Sequence, residues 1–500
     1  MPNTVRIPIG GVARLLSPIL PAIVLIAALA VVLLITSSLG AALVALAGVL
    51  FCGFLLFAPP FWLALLLVVL IPFQSLMTQL LGGFDSSGRQ VFALWKEILL
   101  GVGILRLYLH SPNRKAILSS NRWILVCSGL LLLVYCTTFV RAPSLPGIFS
   151  FNLETRFVGV MLFFMLLDLD ERRSATLLRV MVWSVGLIAA YGLVQYTWDY
   201  GRLLPLVYNI RDIYADDVRR LYSYSLNPLE PAYGGVIAIL VLLSGAGRST
   251  LRVAFPLFAL LFVCLLLTYT RSAYLGLLVG LIVVGVVNHI DIRRYAVIPI
   301  VAVFIVCAVL LFSGPSVFTS NIAQRLQSIL SQNDESSEVH KAGMESAVQI
   351  ISAHPFGIGL GKYGTIEARF SDDDDTTTKK TEDWVLQVAV QNGIIGAFAY
   401  IAFIFATLAR LLLKKTGRNK HANALRAAAA GGFVAMIVAS IMIPVWDLLL
   451  PTVYVWALVG MALAVGTRTR RVQTVTGTSE YTLECIKPQF GTTGIPREEK

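Results

Sequence analysis

LFALLFVCLLLTYTRSAYLGLLVGLIVVGVV, residues 257–287, decides the fold. Two apolar runs flank the link TYTRSAY, in which Arg271 is the only charge. Each run belongs to a stretch of the length a helix needs to cross hydrocarbon, roughly 20 residues. A link this short makes the two spans antiparallel neighbours and cannot lift Arg271 far into water. An arginine so placed is either an interfacial anchor or a clamp for an anion, and both readings stand at this point.

The rest of the chain follows the same pattern. Its 500 residues are 57% hydrophobic and 14% charged, with a mean hydropathy of +0.78. That is more apolar surface than one soluble core could bury. The fold class expected is an all-α polytopic membrane bundle of about 14 spans. Their centres fall near Leu25, Ala47, Val68, Leu100, Leu131, Leu162, Gly186, Leu240, Leu260, Leu278, Phe304, Ala397, Val438 and Trp456. The first span follows Arg6 and Arg14 and lacks a small-residue cleavage site, so it reads as a span and not a signal peptide.

The formal charge of +12 could point to nucleic acid, but its distribution does not. Every second short link is basic, among them Arg106 with Arg114, Lys115 and Arg122; Arg172, Arg173 and Arg179; Arg293 and Arg294; Arg410 to Arg426; and Arg468 to Arg471. This is the positive-inside pattern with cytoplasmic termini, and no nucleic-acid partner is expected. Five cysteines lie in spans and Cys485 in the tail, so no disulfide framework is expected.

The chain divides into spans 1–11 over residues 1–313, with a second external loop at 199–231; a large external loop at 314–383; spans 12–14 over 384–466; and a Thr- and Gly-rich tail, 467–500, expected to be disordered. Lys96 and Glu97 open the fourth span. As adjacent helical residues they should point apart, with Lys96 either snorkelling or partnered in a site. Arg141, Glu154 and Arg156 are read as an external loop between spans 5 and 6. The 199–231 loop carries Arg202, Arg211, Arg219 and Arg220 on the side that should be poor in cations. They would bind an external anion, or a loop of this length escapes the charge rule. In the large loop, Glu338 to Ile351 has helical periodicity, and His354 to Gly364 is a glycine-rich turn. Gly359 to Gly364 spells GxGxxG, but no strand precedes it and the Walker spacing is absent, so it reads as a tight turn. The acidic run Asp372 to Asp375 lacks the alternation of a calcium loop and reads as a solvated tip.

Three strings resemble the bacterial O-antigen ligase and O-antigen polymerase (Wzy-type) superfamily. Leu267 to Gly276 matches its Leu-Thr-x-Ser/Thr-Arg string before a Leu-Gly-rich helix. His354 to Gly359 is similar to its His-Pro-x-x-Gly-x-Gly turn, with one residue fewer. Gly393-Ile394-Ile395-Gly396 matches its Gly-x-x-Gly, which places Glu382-Asp383 where ligases have His-Asn. The resemblance covers about Arg220 to Ala406. Two departures, the carboxylate at Glu382 and the His340 and Met344 pair where relatives often have Arg and Trp, lean away from the ligases and toward the polymerases.

The resemblance implies glycan transfer from undecaprenyl diphosphate to a sugar hydroxyl of a lipid-linked repeat unit. It would occur at the periplasmic face of the bacterial inner membrane, without nucleotide, metal or other cofactor. The alternatives are a ligase moving glycan to lipid A core or protein, and a transporter. A transporter should show charged or broken helices near the midplane. Partners implied are the undecaprenyl-diphosphate-linked oligosaccharide, the lipid bilayer, a chain-length regulator and a flippase, with no nucleic acid. Departing diphosphate carries negative charge that guanidinium groups stabilise. Arg271 and Glu382 are therefore the candidate catalytic residues, and Arg219, Arg220, Arg156, His340, Lys341 and Asp383 the candidate substrate-binding ones. Glu382 has a blander reading, as a first-turn acid complementing a helix capped by Thr381. Gly393 and Gly396 likewise read most simply as close-packing positions between helices.

Overall fold

The computed structural model describes residues 51, 53–80, 95–197, 214–215, 218–221, 223, 227–247, 251–288, 335–364, 366–367, 383–413 and 419–465; for 78–80, 214–219, 251 and 335–340 it describes the backbone alone. The spans expected around Leu25, Ala47 and Phe304, residues 314–334 and 368–382 of the large loop, Cys52, Cys307, Cys485 and the tail lie outside the described residues.

The helices are α1 (Pro60–Leu70), which runs through a 3₁₀ turn into α2 (Gln74–Leu80), α3 (Trp95–His110), α4 (Arg114–Ser120), α5 (Arg122–Arg141), α6 (Leu145–Leu166), α7 (Glu171–Thr197), α8 (Leu229–Ser244), α9 (Leu251–Leu267), α10 (Arg271–Asn288), α11 (Glu335–Ala353), α12 (Trp384–Leu413) and α13 (Lys420–Ser440), followed by α14 (Leu449–Val465). Seven helices among the described residues are long and apolar enough to cross a membrane, and α8, α9 and α14 are shorter apolar helices. The other expected centres all fall on these elements, although Val438 lies near the end of α13 and not at its middle. The protein is an all-helical polytopic membrane bundle. The only strands described are Tyr214–Ala215 and Val218–Arg219, a two-rung antiparallel pair in which Tyr214 faces Arg219.

Local chemistry sets several boundaries. Ser144 caps α6, its side chain accepting from Gly147 N at 3.0 Å, with Pro146 in the first turn. Glu154 and Arg156, read from the sequence as loop residues, therefore lie inside α6: polar residues lower the local hydropathy there, but the cap starts the helix before them. Asn419 caps α13 by accepting from Ala422 N at 3.0 Å. Gly245, at φ 75°, ends α8 in the left-handed conformation that glycine adopts without penalty.

The core is centred on α14, which is buried on all sides from Pro451 to Ala464. Its Trp456 stacks on Phe157 of α6 at 5.1 Å and Phe403 of α12 at 5.3 Å, and meets Phe433 of α13 edge-on at 5.0 Å. Helices α10 and α13 pack at close range along a small-residue seam. A Cβ on Gly280 would lie 3.0 Å from Gly431 O, and one on Gly276 would lie 3.1 Å from Ala435 O. Small residues allow this backbone approach, which is where membrane helices gain their packing energy.

The helices alternate in direction and define two ends. At one, Arg410 donates to Ser120 O at 2.9 Å, Asn419 to Glu171 at 2.7 Å, and Asn113 to Asp168 at 2.5 Å; Arg114, Arg122, Arg172 and Arg173 also fall at this basic end. At the other, Arg141 donates to Phe356 O at 3.0 Å, Leu221 N to Leu267 O at 2.9 Å, and Tyr233 to Ser272 Oγ at 2.7 Å. This second end carries α11 and the glycine-rich turn, and is called the loop end below.

Candidate functional site

The loop end is built on a break in α12. Gly393 has φ 76° and ψ −180°, a conformation essentially reserved for glycine, and it divides the element into helices at 384–392 and 394–413. In a straight helix, residues 383 and 400 would be roughly 25 Å apart, yet Asp383 lies within electrostatic reach of Tyr400. The short helix therefore bends back toward the bundle, and only the segment after Gly393 is a plain crossing. Gly393 is thus not the interhelical packing position its sequence suggested. Gly396 is one, with its Cβ position 3.5 Å from Val134 Cγ1 of α5.

The glycine-rich turn locks onto this break. Ile358 N donates to Val390 O at 2.9 Å, Gly359 N to Gln391 O at 3.1 Å, and Ile394 N to Pro355 O at 3.0 Å. Gly361 N donates to Gln391 Oε1 at 2.7 Å. Contact is so close that a Cβ on Gly357 would lie 2.3 Å from Gln391 O, and one on Gly361 would lie 2.4 Å from Pro146 C. Gly357, Gly359, Gly361 and Gly364 all have positive φ, so the GxGxxG string is the tight turn expected of it. The underside of the 384–392 helix packs into the main core through Trp384 and Val388, while Val390 and Leu386 meet Ala347, Ile350 and Ile351 of α11.

Asp383 caps this short helix, Oδ1 accepting from Leu386 N at 2.9 Å. The cap assigned from the sequence to Thr381, which lies outside the described residues, is supplied two residues later. Burial raises the Asp383 carboxyl above its ordinary range, and the N–H groups of Leu386 and Val385 pull it part of the way back. Glu382, the candidate base, lies outside the described residues.

Between the loop ends of α3 and α6 stands a largely buried charge cluster. Glu97 Oε2 lies 3.2 Å from Lys96 Nζ and Glu97 Oε1 lies 3.5 Å from Arg156 Nε, while Asn152 Nδ2 donates to the same Oε1 at 3.1 Å. Lys96 and Glu97 were expected to point apart; at the first turn of α3 their long side chains instead curl onto one another and onto α6. Arg156 also acts on Glu230, which sits in the first turn of α8 and accepts from Leu449 N at 3.3 Å. One turn further, Tyr233 holds Ser272, next to Arg271. Arg271 opens α10, where a cation is disfavoured by the helix dipole unless an anion is present. Arg220 is half-buried, and Leu221 beside it is tied to the carboxyl end of α9, three residues before Thr270.

The structure thus gathers Arg156, Arg220, Arg271 and Asp383 at the loop end. Arg219 is placed by its backbone in the strand pair. His340 is placed by its backbone in α11, and Lys341 next to it is exposed, away from the buried cluster. Sequence reading did not single out Glu230, Asn152, Gln391 or Asn392 as site residues. The available signal was their polarity within otherwise apolar spans, which marks functional positions in membrane helices.

Residues 256–401 match the O-antigen ligase family model. The match begins in α9, takes in Arg271, α11, the glycine-rich turn and Asp383, and ends just beyond the break; Arg156, Arg220 and the Lys96–Glu97 pair precede it. It supports glycan transfer of the O-antigen ligase or polymerase kind. No curated protein matches the chain.

Proposed function

We propose that this protein is a polysaccharide polymerase, transferring glycan from undecaprenyl diphosphate to a sugar hydroxyl of a lipid-linked repeat unit. The observation that carries the reading is the coincidence of the O-antigen ligase match with the site: its residues 256–401 bring Arg271, the glycine-rich turn and Asp383 to one end of a membrane bundle. The positive-inside rule makes the basic end cytoplasmic, with both termini there, and the loop end periplasmic, in a bacterial inner membrane.

In the proposed reaction the acceptor oxygen bonds to the anomeric carbon as the bond from that carbon to the diphosphate oxygen breaks. The hydroxyl proton passes to a carboxylate, and undecaprenyl diphosphate leaves with the bonding electrons. Arg271, assisted by Arg220, meets the phosphate charge with guanidinium forks at the membrane face. Arg219 is kept as a further diphosphate contact, and His340 and Lys341 as contacts to the sugars, since α11 stands over the same end. Glu382 is the proposed base, from its place where ligases of the resembled superfamily have the histidine of their His-Asn pair. The substrate needs no cofactor in this scheme. A chain-length regulator and a flippase are the proposed partners.

The broken helix sits under the loop and not at the bundle's middle, which supports an enzyme over a transporter. A ligase is the second reading, favoured by the family's own description. Deleting the gene separates the two. A polymerase deletion leaves exported single repeat units on the carrier or as one-unit caps, whereas a strain that builds full-length carrier-linked chains but cannot transfer them establishes a ligase.

A further inference from the structure

A second polar cluster, inside α6, is not used by the proposed chemistry. Glu154 is 1% exposed in an apolar bundle. Ser150 Oγ lies 2.9 Å from Glu154 Oε1 and 2.9 Å from Gln391 Oε1, but a hydroxyl has one proton to give. Gly361 N–H already points at that Gln391 oxygen, which fixes it as an acceptor. Ser150 therefore donates to Gln391, and the Glu154–Ser150 contact is bridged by a proton carried on Glu154. Its second oxygen accepts from Asn392 Nδ2 at 3.3 Å. A neutral acid here also avoids the cost of burying an ionised carboxylate. Tyr135, Tyr400 and Asp447 are the titratable groups that face it.

Both partners are set at the break: Asn392 immediately precedes Gly393, and Gln391 receives the glycine-rich turn through its backbone and side-chain oxygens. We infer that Glu154 is a positioning residue, a neutral latch that holds the turn and the short helix bearing Asp383 against α6 and so sets the geometry of the loop-end site. It touches no substrate; it acts through Asn392 and, by way of Ser150, through Gln391. The inference rests on the proposed glycan transfer for its kinetic consequence, but not for its structural one.

The test uses full-length protein in nanodiscs with three variants. Glu154→Gln supplies an amide N–H for Ser150 and an oxygen for Asn392, and should keep turnover, KM and the pH profile of the wild type. Glu154→Leu should lower kcat by about 100-fold, the scale of a roughly 1 Å displacement of reacting groups, with KM for the lipid-linked donor little changed. Asn392→Ala leaves Glu154 in place, breaks one contact, and serves if the leucine variant does not fold. Hydrogen exchange over residues 385–392, which needs no substrate, should accelerate in the leucine and alanine variants but not in the glutamine variant, with α10 and α13 unaffected. Unchanged exchange in both disruptive variants overturns the latch. A glutamine variant as inactive as the leucine variant, at wild-type exchange, overturns it too, by making Glu154 a proton carrier. If the wild type transfers no glycan, the functional reading fails while the exchange result still decides the latch.

Discussion

Gly393→Ala is the sharpest perturbation the fold offers. A residue other than glycine at φ 76° and ψ −180° costs on the order of 1–3 kcal/mol in backbone strain. The added Cβ would also lie 2.6 Å from Phe356 C and 2.6 Å from Pro355 O. These are backbone atoms that no rotamer change can move, so overpacking adds about 1–3 kcal/mol more. The turn is held to the break by the bonds from Ile358 N, Gly359 N and Ile394 N and by Gly361 N to Gln391, together worth about 4 kcal/mol at roughly 1 kcal/mol each. Cost and restraint are of the same size, so the turn should detach while the rest of the bundle stays folded. Amide exchange at Ile358, Gly359 and Ile394, read by mass spectrometry on protein in nanodiscs, should accelerate by about 100-fold or more, since each 1.4 kcal/mol is a factor of ten. Gly129→Ala is the control, because a Cβ at Gly129 meets nothing within 4 Å. Wild-type exchange and turnover in Gly393→Ala would refute the reasoning.

Arg271→Lys should be nearly as inactive as Arg271→Ala in polymer formation, because a diphosphate clamp needs the planar fork, whereas an interfacial anchor is served by either cation; polymer of wild-type length and amount from the lysine variant would return Arg271 to the anchor role. Asp383→Asn should melt within about 0.5 kcal/mol of the wild type, since asparagine caps as well as aspartate, while Asp383→Ala should lose about 1 kcal/mol from the short helix. The Asp383 carboxyl is raised by burial, so its favourable contribution is complete at pH below the ordinary aspartate range and is lost as pH rises through the higher folded value. Thermal melts of the wild type should fall over that acid window relative to those of Asp383→Asn, and parallel curves would dismiss the effect.

The bundle was legible in the sequence because membrane spans are read from length and apolarity, which do not depend on partners. The alternation of ends was legible from the arginines for the same reason. The break in α12 was not: Gly393 and Gly396 have one spacing whether they pack helices together or end one, and only the backbone of Pro355 and Phe356, some 40 residues earlier, decides between them. The Lys96–Glu97 pair escaped because the rule that neighbours on a helix diverge describes Cβ directions, and a lysine at a helix's first turn is long enough to turn back. Glu154 was read as a loop residue because hydropathy falls at Asn152 to Arg156, although Ser144 and Pro146 had already started the helix. The arginines and Asp383 were proposed from chemistry and resemblance, while Glu230, Gln391 and Asn392 became candidates only when the fold placed them at the same end.

The central claim is tested most directly by following polymer formation from purified lipid-linked repeat units, with wild-type protein and Glu382→Gln in nanodiscs at matched protein level and thermal melt. The glutamine keeps shape and hydrogen-bonding capacity but cannot take a proton. The expected result is polymer and released undecaprenyl diphosphate from the wild type and turnover lower by roughly 100-fold or more in the variant. Equal turnover in the two proteins would remove Glu382 from the chemistry, and a wild type that releases no undecaprenyl diphosphate from such units would contradict glycan transfer itself.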